Sequence, residues 1–198
     1  MTAIIVCSDR PRVGRSLLTS IFAESLPSAQ VVAVAGSSDG VDRLQAEILT
    51  AIDAYSDLSS GLILIDFPVP IDRASDFFVD ALHEIGHEVR MAYIVSPDVG
   101  SRRLLNSAFG KQADRLVAVI NAYMPNAVKS WERSVEAQNW RGTAIWSSPP
   151  ARVLTVINES HMSFSELWSA SGGQHLVDRQ AIKWWYERTI NNVCKLLL

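Results

Sequence analysis

Three arginines, a glycine and two serines crowd into one short stretch, Ser8-Asp9-Arg10-Pro11-Arg12-Val13-Gly14-Arg15-Ser16. What such residues do together is hold phosphate. Guanidinium groups fork onto phosphate oxygens, a glycine lets backbone N–H groups come close to an anion, and a serine hydroxyl ligates a hard cation beside it. Against the phosphate-cradling pattern G-x-x-x-x-G-K-[ST], the stretch aligns as Asp9-x-x-x-x-Gly14-Arg15-Ser16. The second glycine and the serine stand, Asp9 replaces the first glycine, and Arg15 replaces the lysine. The plainer reading is a strand-to-helix turn carrying solvated arginines. Residue types alone leave both readings open.

A second chemistry-bearing spacing is His83-Glu84-Ile85-Gly86-His87, which fits H-E-x-x-H. On a continuous helix two such histidines share a face and bind zinc, with the glutamate activating water. Gly86 argues otherwise. It falls where the helix should stop, and a left-handed glycine there turns His87 away from His83. The run that follows, His87-Glu88-Val89-Arg90, leads straight into an apolar strand. His83 and His87 therefore read as structural residues.

The elements that must position the arginine-rich turn follow from apolar periodicity. Ala3 to Cys7 is a short apolar run of buried-strand character, and Leu17 to Ala23 has helical spacing. Next come a strand at Val31 to Ala35, a helix marked by Val41, Leu44, Ile48 and Ile52, and a strand at Leu62 to Pro68 that contains Asp66. The same alternation continues with a helix from Arg73 to Ile85, a strand from Arg90 to Val95, a helix from Ser101 to Phe109 and a strand from Leu116 to Ile120. Strands alternating with helices at this spacing predict a three-layer, doubly wound and mainly parallel sheet with helices on both faces. In such a sheet Ser8 to Ser16, Asp66 and Ser96-Pro97 converge at the carboxyl ends of the strands, where ligands bind. Further on, Ala127 to Gln138 reads as a helix, Thr143 to Trp146 as a strand and Arg152 to Ile157 as another strand or extended segment. Asp178 to Leu198 reads as a closing helix with Asp178 as its N-cap.

In order and content, these motifs resemble the deviant Walker A ATPases of the ParA and MinD type over roughly residues 3 to 125. That family's loop, Lys-Gly-Gly-x-Gly-Lys-[Ser/Thr], falls on Arg10-Pro11-Arg12-Val13-Gly14-Arg15-Ser16. The resemblance implies a P-loop fold binding ATP or ADP with magnesium through Arg12, Val13, Gly14, Arg15, Ser16 and Leu17. It puts Arg10 in the place of the lysine that reaches across a dimer, Ser16 and Asp66 on the magnesium, and Asn121 near the base. It also implies a role in positioning cargo such as a plasmid or a conjugation or division complex, as a homodimer or with a partner protein. Two departures bear on hydrolysis. Ala35-Gly36-Ser37 stands where the family carries Asp-x-Asp, leaving Asp39 as the nearest substitute. Asp66-Phe67-Pro68-Val69-Pro70 ends in a residue with no N–H where the family's glycine senses the γ-phosphate. Slow or absent turnover is expected, as in a degenerate module that binds a partner without hydrolysing. Pro11 to Leu18 is also similar to the phosphosulfate loop of sulfotransferases, although Ser96 stands where their second motif has arginine.

Composition sets the outer bounds. With 198 residues, 48% of them hydrophobic and 20% charged, the chain suits one α/β domain over 1–198. Net charge −3 and a pI near 5.8 argue against whole-surface attraction to nucleic acid, leaving a local contact such as Arg102-Arg103 on DNA phosphates. Cys7 and Cys194 read as buried apolar residues in a reducing compartment, and the six tryptophans as packing rather than base-stacking residues. No leader-like segment or membrane-length apolar run is visible, so a cytoplasmic protein is expected.

Overall fold

Side-chain alternation along the first strand decides the layering. In β1 (Thr2–Ser8), Ala3, Ile5 and Cys7 face one way and Ile4 and Val6 the other, and all five are buried. A strand with no wet face needs cover on both sides, as parallel sheets provide. The computed structural model describes residues 2–8, 14–33, 50, 61–67, 73–95, 114–134, 139–147, 149–160, 162–169 and 175–198. It contains β2 (Gln30–Ala33), β3 (Leu62–Asp66), β4 (Glu88–Val95), β5 (Leu116–Asn121) and β6 (Gly142–Trp146). With β1 these form one six-stranded sheet in the order β2-β3-β1-β4-β5-β6, every described pairing parallel.

Helices α1 (Arg15–Ser25), α2 (Arg73–Glu84), α3 (Ala127–Glu132), α4 (Ala151–Glu159), α5 (Phe164–Trp168) and α6 (Leu176–Thr189) form the outer layers. On the Ile5 side, Val79 and Leu82 of α2 and Trp131 of α3 meet Met91, Tyr93 and Ile120. On the Val6 side, Leu18, Ile21 and Phe22 of α1 pack with Ile182 and Trp185 of α6. Each fully buried side chain of this size contributes roughly 1.5–3 kcal/mol. The doubly wound three-layer arrangement expected from the sequence is present, and its described sheet is wholly parallel. The predicted helices over 41–52 and 101–109 lie outside the described residues, apart from Thr50, which is helical.

Three local expectations are corrected. Arg152 to Ile157 is not a strand but lies within α4, which begins after Pro150 with Leu154 N–H donating to Pro150 O at 3.0 Å. Its β-branched residues favour a strand locally, but Val153, Val156 and Ile157 recur at helical spacing and pack on one core face, and packing overrides propensity. Asp178 is not the N-cap of the last helix. That place belongs to His175, and Asp178 sits in the first turn, 2.8 Å from the Arg152 guanidinium. The helix begun at Ala127 ends at Glu132, and Lys129 is the basic residue of its last turn. Beyond Thr189 the last helix passes through a π turn, Ile190–Cys194, into a final turn at Lys195–Leu197. No helix among the described residues is long and apolar enough to cross a membrane.

Candidate functional site

Because every described strand runs the same way, Ser8 of β1, Asp66 of β3, Asn121 of β5 and Trp146 of β6 all end on one edge of the sheet. α1 opens at that edge, in the usual place for a ligand in an α/β sheet. Gly14 stands at its N-cap with φ 94° and ψ 15°. Among the described residues no side chain caps the helix, and its first turn holds no acidic residue. The helical ladder starts with Leu18 N–H donating to Gly14 O at 2.9 Å, so the N–H groups of Arg15, Ser16 and Leu17 precede it. They lie at the positive end of the helix dipole, where a phosphate is favoured. Leu17 offers its backbone there, while its side chain packs against the core.

Gly14 is confined from the side as well. A Cβ at this position would lie 2.8 and 2.9 Å from two ring carbons of Trp146 and 3.6 Å from Asn121 Nδ2. Asn121 and Trp146 face each other in the β5–β6 register. Asn121 Oδ1 accepts from Tyr123 N–H at 3.0 Å, which closes the turn after β5. Trp146 is buried and stacks on Trp185 with centroids 6.3 Å apart, and the Trp185 indole N–H donates to Ser147 O at 2.7 Å. The wall beside the loop glycine is thus an aromatic stack anchored in α6. Sequence reasoning placed Trp146 only among packing residues. The available signal was its position at a strand's carboxyl end, the edge where Gly14 must also lie.

Asp66 meets both residues expected to serve a metal-bound phosphate. Arg15 Nε lies 2.5 Å from Asp66 Oδ1, and Ser16 Oγ donates to Asp66 Oδ2 at 3.3 Å. The arginine contact is a charge approach without the alignment of a hydrogen bond. The two side chains keep 22% and 16% of their surface exposed, so solvent screens the pair only in part. Asp66 and Ser16 supply hard oxygen donors. That set fits magnesium, which commonly takes one or two carboxylates and completes its shell with water and substrate phosphate. Among the described residues no group of three His, Cys, Asp or Glu side chains could hold a metal by itself. Gly14, Arg15, Ser16, Asp66 and Asn121 therefore share the carboxyl edge. Arg10, Arg12, Val13 and Asp39, with Ala35, Ser37, Pro70 and the Arg102-Arg103 pair, lie outside the described residues.

The histidine spacing does not make a helical pair. α2 ends at Glu84, Gly86 takes φ 86°, its N–H donates to His83 O at 2.9 Å, and His87 N–H donates to Leu82 O at 2.9 Å. This closing turn sends His87 into the interior, where burial lowers its pKa, while His83 meets the Arg115 side chain. Both cysteines are buried and neither is in a disulfide; the Cys7 thiol donates to Ala92 O at 3.7 Å. Trp131, Trp140, Trp146 and Trp185 are buried, whereas Trp184 is exposed under the Arg188 guanidinium.

No protein-family model matches the chain, and no curated protein matches it. Among solved structures it aligns with one from the PezAT chromosomal toxin–antitoxin system of the human pathogen Streptococcus pneumoniae. The identity is 14% over 99% of this chain and 87% of that chain, with a TM-score of 0.39.

Proposed function

We propose that the chain binds ATP or ADP with magnesium at the start of α1, as a ParA/MinD-like P-loop protein, and hydrolyses the nucleotide slowly or not at all. The observation that supports this best is the meeting of Arg15, Ser16 and Asp66 at a helix N-terminus whose cap position is Gly14. On this reading the Arg15 guanidinium and the N–H groups of Arg15, Ser16 and Leu17 hold phosphate oxygens. Asp66 and the Ser16 hydroxyl hold the magnesium, which when bound neutralises phosphate charge. Trp146 and Asn121 keep Gly14 in the position that aims those N–H groups. The cellular role would be the positioning or partition of cargo, with a second copy or a partner protein, in the cytoplasm.

Calorimetry with ATP and ADP at millimolar concentration tests the binding step. Arg15→Ala is expected to weaken affinity by about 1.5–3 kcal/mol, the worth of a charge-assisted hydrogen bond. Absence of any binding by the intact protein rejects the site. A second reading, a non-hydrolysing interaction module, is favoured by Pro70 and by Ala35-Gly36-Ser37, which remove groups that orient water and sense the γ-phosphate in the family it resembles. ATP binding with turnover at background is its expected outcome.

A further inference from the structure

We propose that Asp66 is a built-in competitor for Arg15, so that phosphate and divalent cation enter this site together and neither enters well alone. The inference rests on the phosphate-site reading above and adds a rule for how the site fills. Its basis is the contact between Arg15 Nε and Asp66 Oδ1 at 2.5 Å, with Ser16 Oγ on the other carboxylate oxygen at 3.3 Å. Both partners sit on regular elements. Arg15 is the first residue of α1, and Asp66 ends β3, whose neighbour β1 leads into the loop.

Three fillings of the site have different electrostatic outcomes. A metal-free polyphosphate must detach Arg15 from Asp66 and then lie beside the freed carboxylate, a like charge. A divalent cation by itself must detach Asp66 and leave Arg15 unpaired next to a second positive centre. Arginine cannot escape by losing its proton, as a lysine can. When both ligands arrive, the cation takes Asp66 and the Ser16 hydroxyl while the phosphate takes Arg15. Every charge then has an opposite partner. The two affinities are therefore coupled, and by linkage each ligand strengthens the other by the same factor.

The test is calorimetry on the full chain with ATP as probe, once in chelator and once in magnesium. Wild type is expected to bind ATP about tenfold or more tightly in magnesium than in chelator, a coupling of about 1.4 kcal/mol or more. Asp66→Asn is expected to raise the metal-free affinity about tenfold and to bring the two conditions together. That gain is expected to vanish in the Arg15→Ala background. Unchanged metal-free affinity in Asp66→Asn overturns the proposal. So does an equal gain in the Arg15→Ala background, which would mark a general charge effect. If Arg15→Ala binds too weakly to titrate, ligand-free stability decides. Asp66→Asn and Arg15→Ala must then be non-additive in thermal unfolding, and additivity overturns the pair. Absence of ATP binding in every variant and both conditions removes the phosphate site itself, and this inference with it.

Discussion

Gly14 answers to two demands that a single substitution violates together. Its φ of 94° is a region that L side chains enter at a cost of about 1–2 kcal/mol. Its missing Cβ is space that the Trp146 ring already borders at 2.8 Å. Gly14→Ala is therefore expected to lose more stability than the backbone term alone, and to weaken phosphate binding by shifting the first N–H groups of α1. Repeating it in a Trp146→Leu background separates the two causes, since only the steric part is relieved; thermal unfolding of the four proteins in the cycle reads the difference. His87 makes a second residue-scale prediction. It is 2% exposed, neither ring nitrogen has a partner among the described residues, and burial lowers its pKa from 6.5. The unfolded chain thus binds the extra proton more readily, so this contribution is intact above about pH 6.5 and is lost as pH falls toward the lower folded value. His87→Leu should flatten that part of the melting-temperature profile. A profile unchanged by the substitution would show that His87 does not titrate across folding.

Between elements, the clearest tie is the one from α1 to α5. The Glu24 carboxylate near the end of α1 accepts from Phe164 N–H at 2.8 Å and from Ser165 N–H at 2.6 Å. Ser163 and Glu166 add a reciprocal cap at the same helix start. Glu24→Ala leaves two N–H groups without their partner and should destabilise by about 1–3 kcal/mol. Glu24→Gln, which keeps one acceptor, should cost less, and denaturant unfolding ranks the two. Equal losses would point to packing of the side chain rather than its hydrogen bonds. The element least legible beforehand was α4. Its run Val153-Leu154-Thr155-Val156-Ile157 has the composition of a strand, and only the surface waiting for Val153 and its helical neighbours makes it a helix. The π turn at Ile190–Cys194 was equally hidden, because the buried residues Ile182, Trp185, Thr189, Val193 and Leu197 keep three- and four-residue spacing through it.

At the scale of the whole molecule, strand order decides which side chains can act together. β3 lies directly beside β1, so the carboxylate ending β3 reaches the helix that β1 leads into. On the proposed ParA/MinD-like reading, Ser37 in place of a carboxylate and Pro70 in place of an N–H donor are expected to hold turnover near background even when ATP binds, since each such group is worth about two to three orders of magnitude in rate. Ser37→Asp with Pro70→Gly should raise turnover in a steady-state phosphate-release assay. A wild-type rate well above background, abolished by Asp66→Ala, would refute the slow-hydrolysis reading. Much of the architecture was legible in the chain because its causes are local. Apolar runs bounded by turns mark strands buried on both faces, helical spacing marks their cover, and Gly86 marks the end of α2. The Gly14-Arg15-Ser16 turn was legible for the same reason, since a strand, a glycine and a helix start are neighbours in sequence. Tertiary structure alone decided the rest. Ser16 and Asp66 are 50 positions apart, and their meeting depends on β3 choosing β1 as its neighbour. Trp146 reaches Gly14 only because β6 adds to the sheet in parallel, so that its last side chain ends on the edge where α1 begins. Periodicity says which face of an element is buried, but partners across a sheet are set by strand order and register, which are properties of the assembled fold.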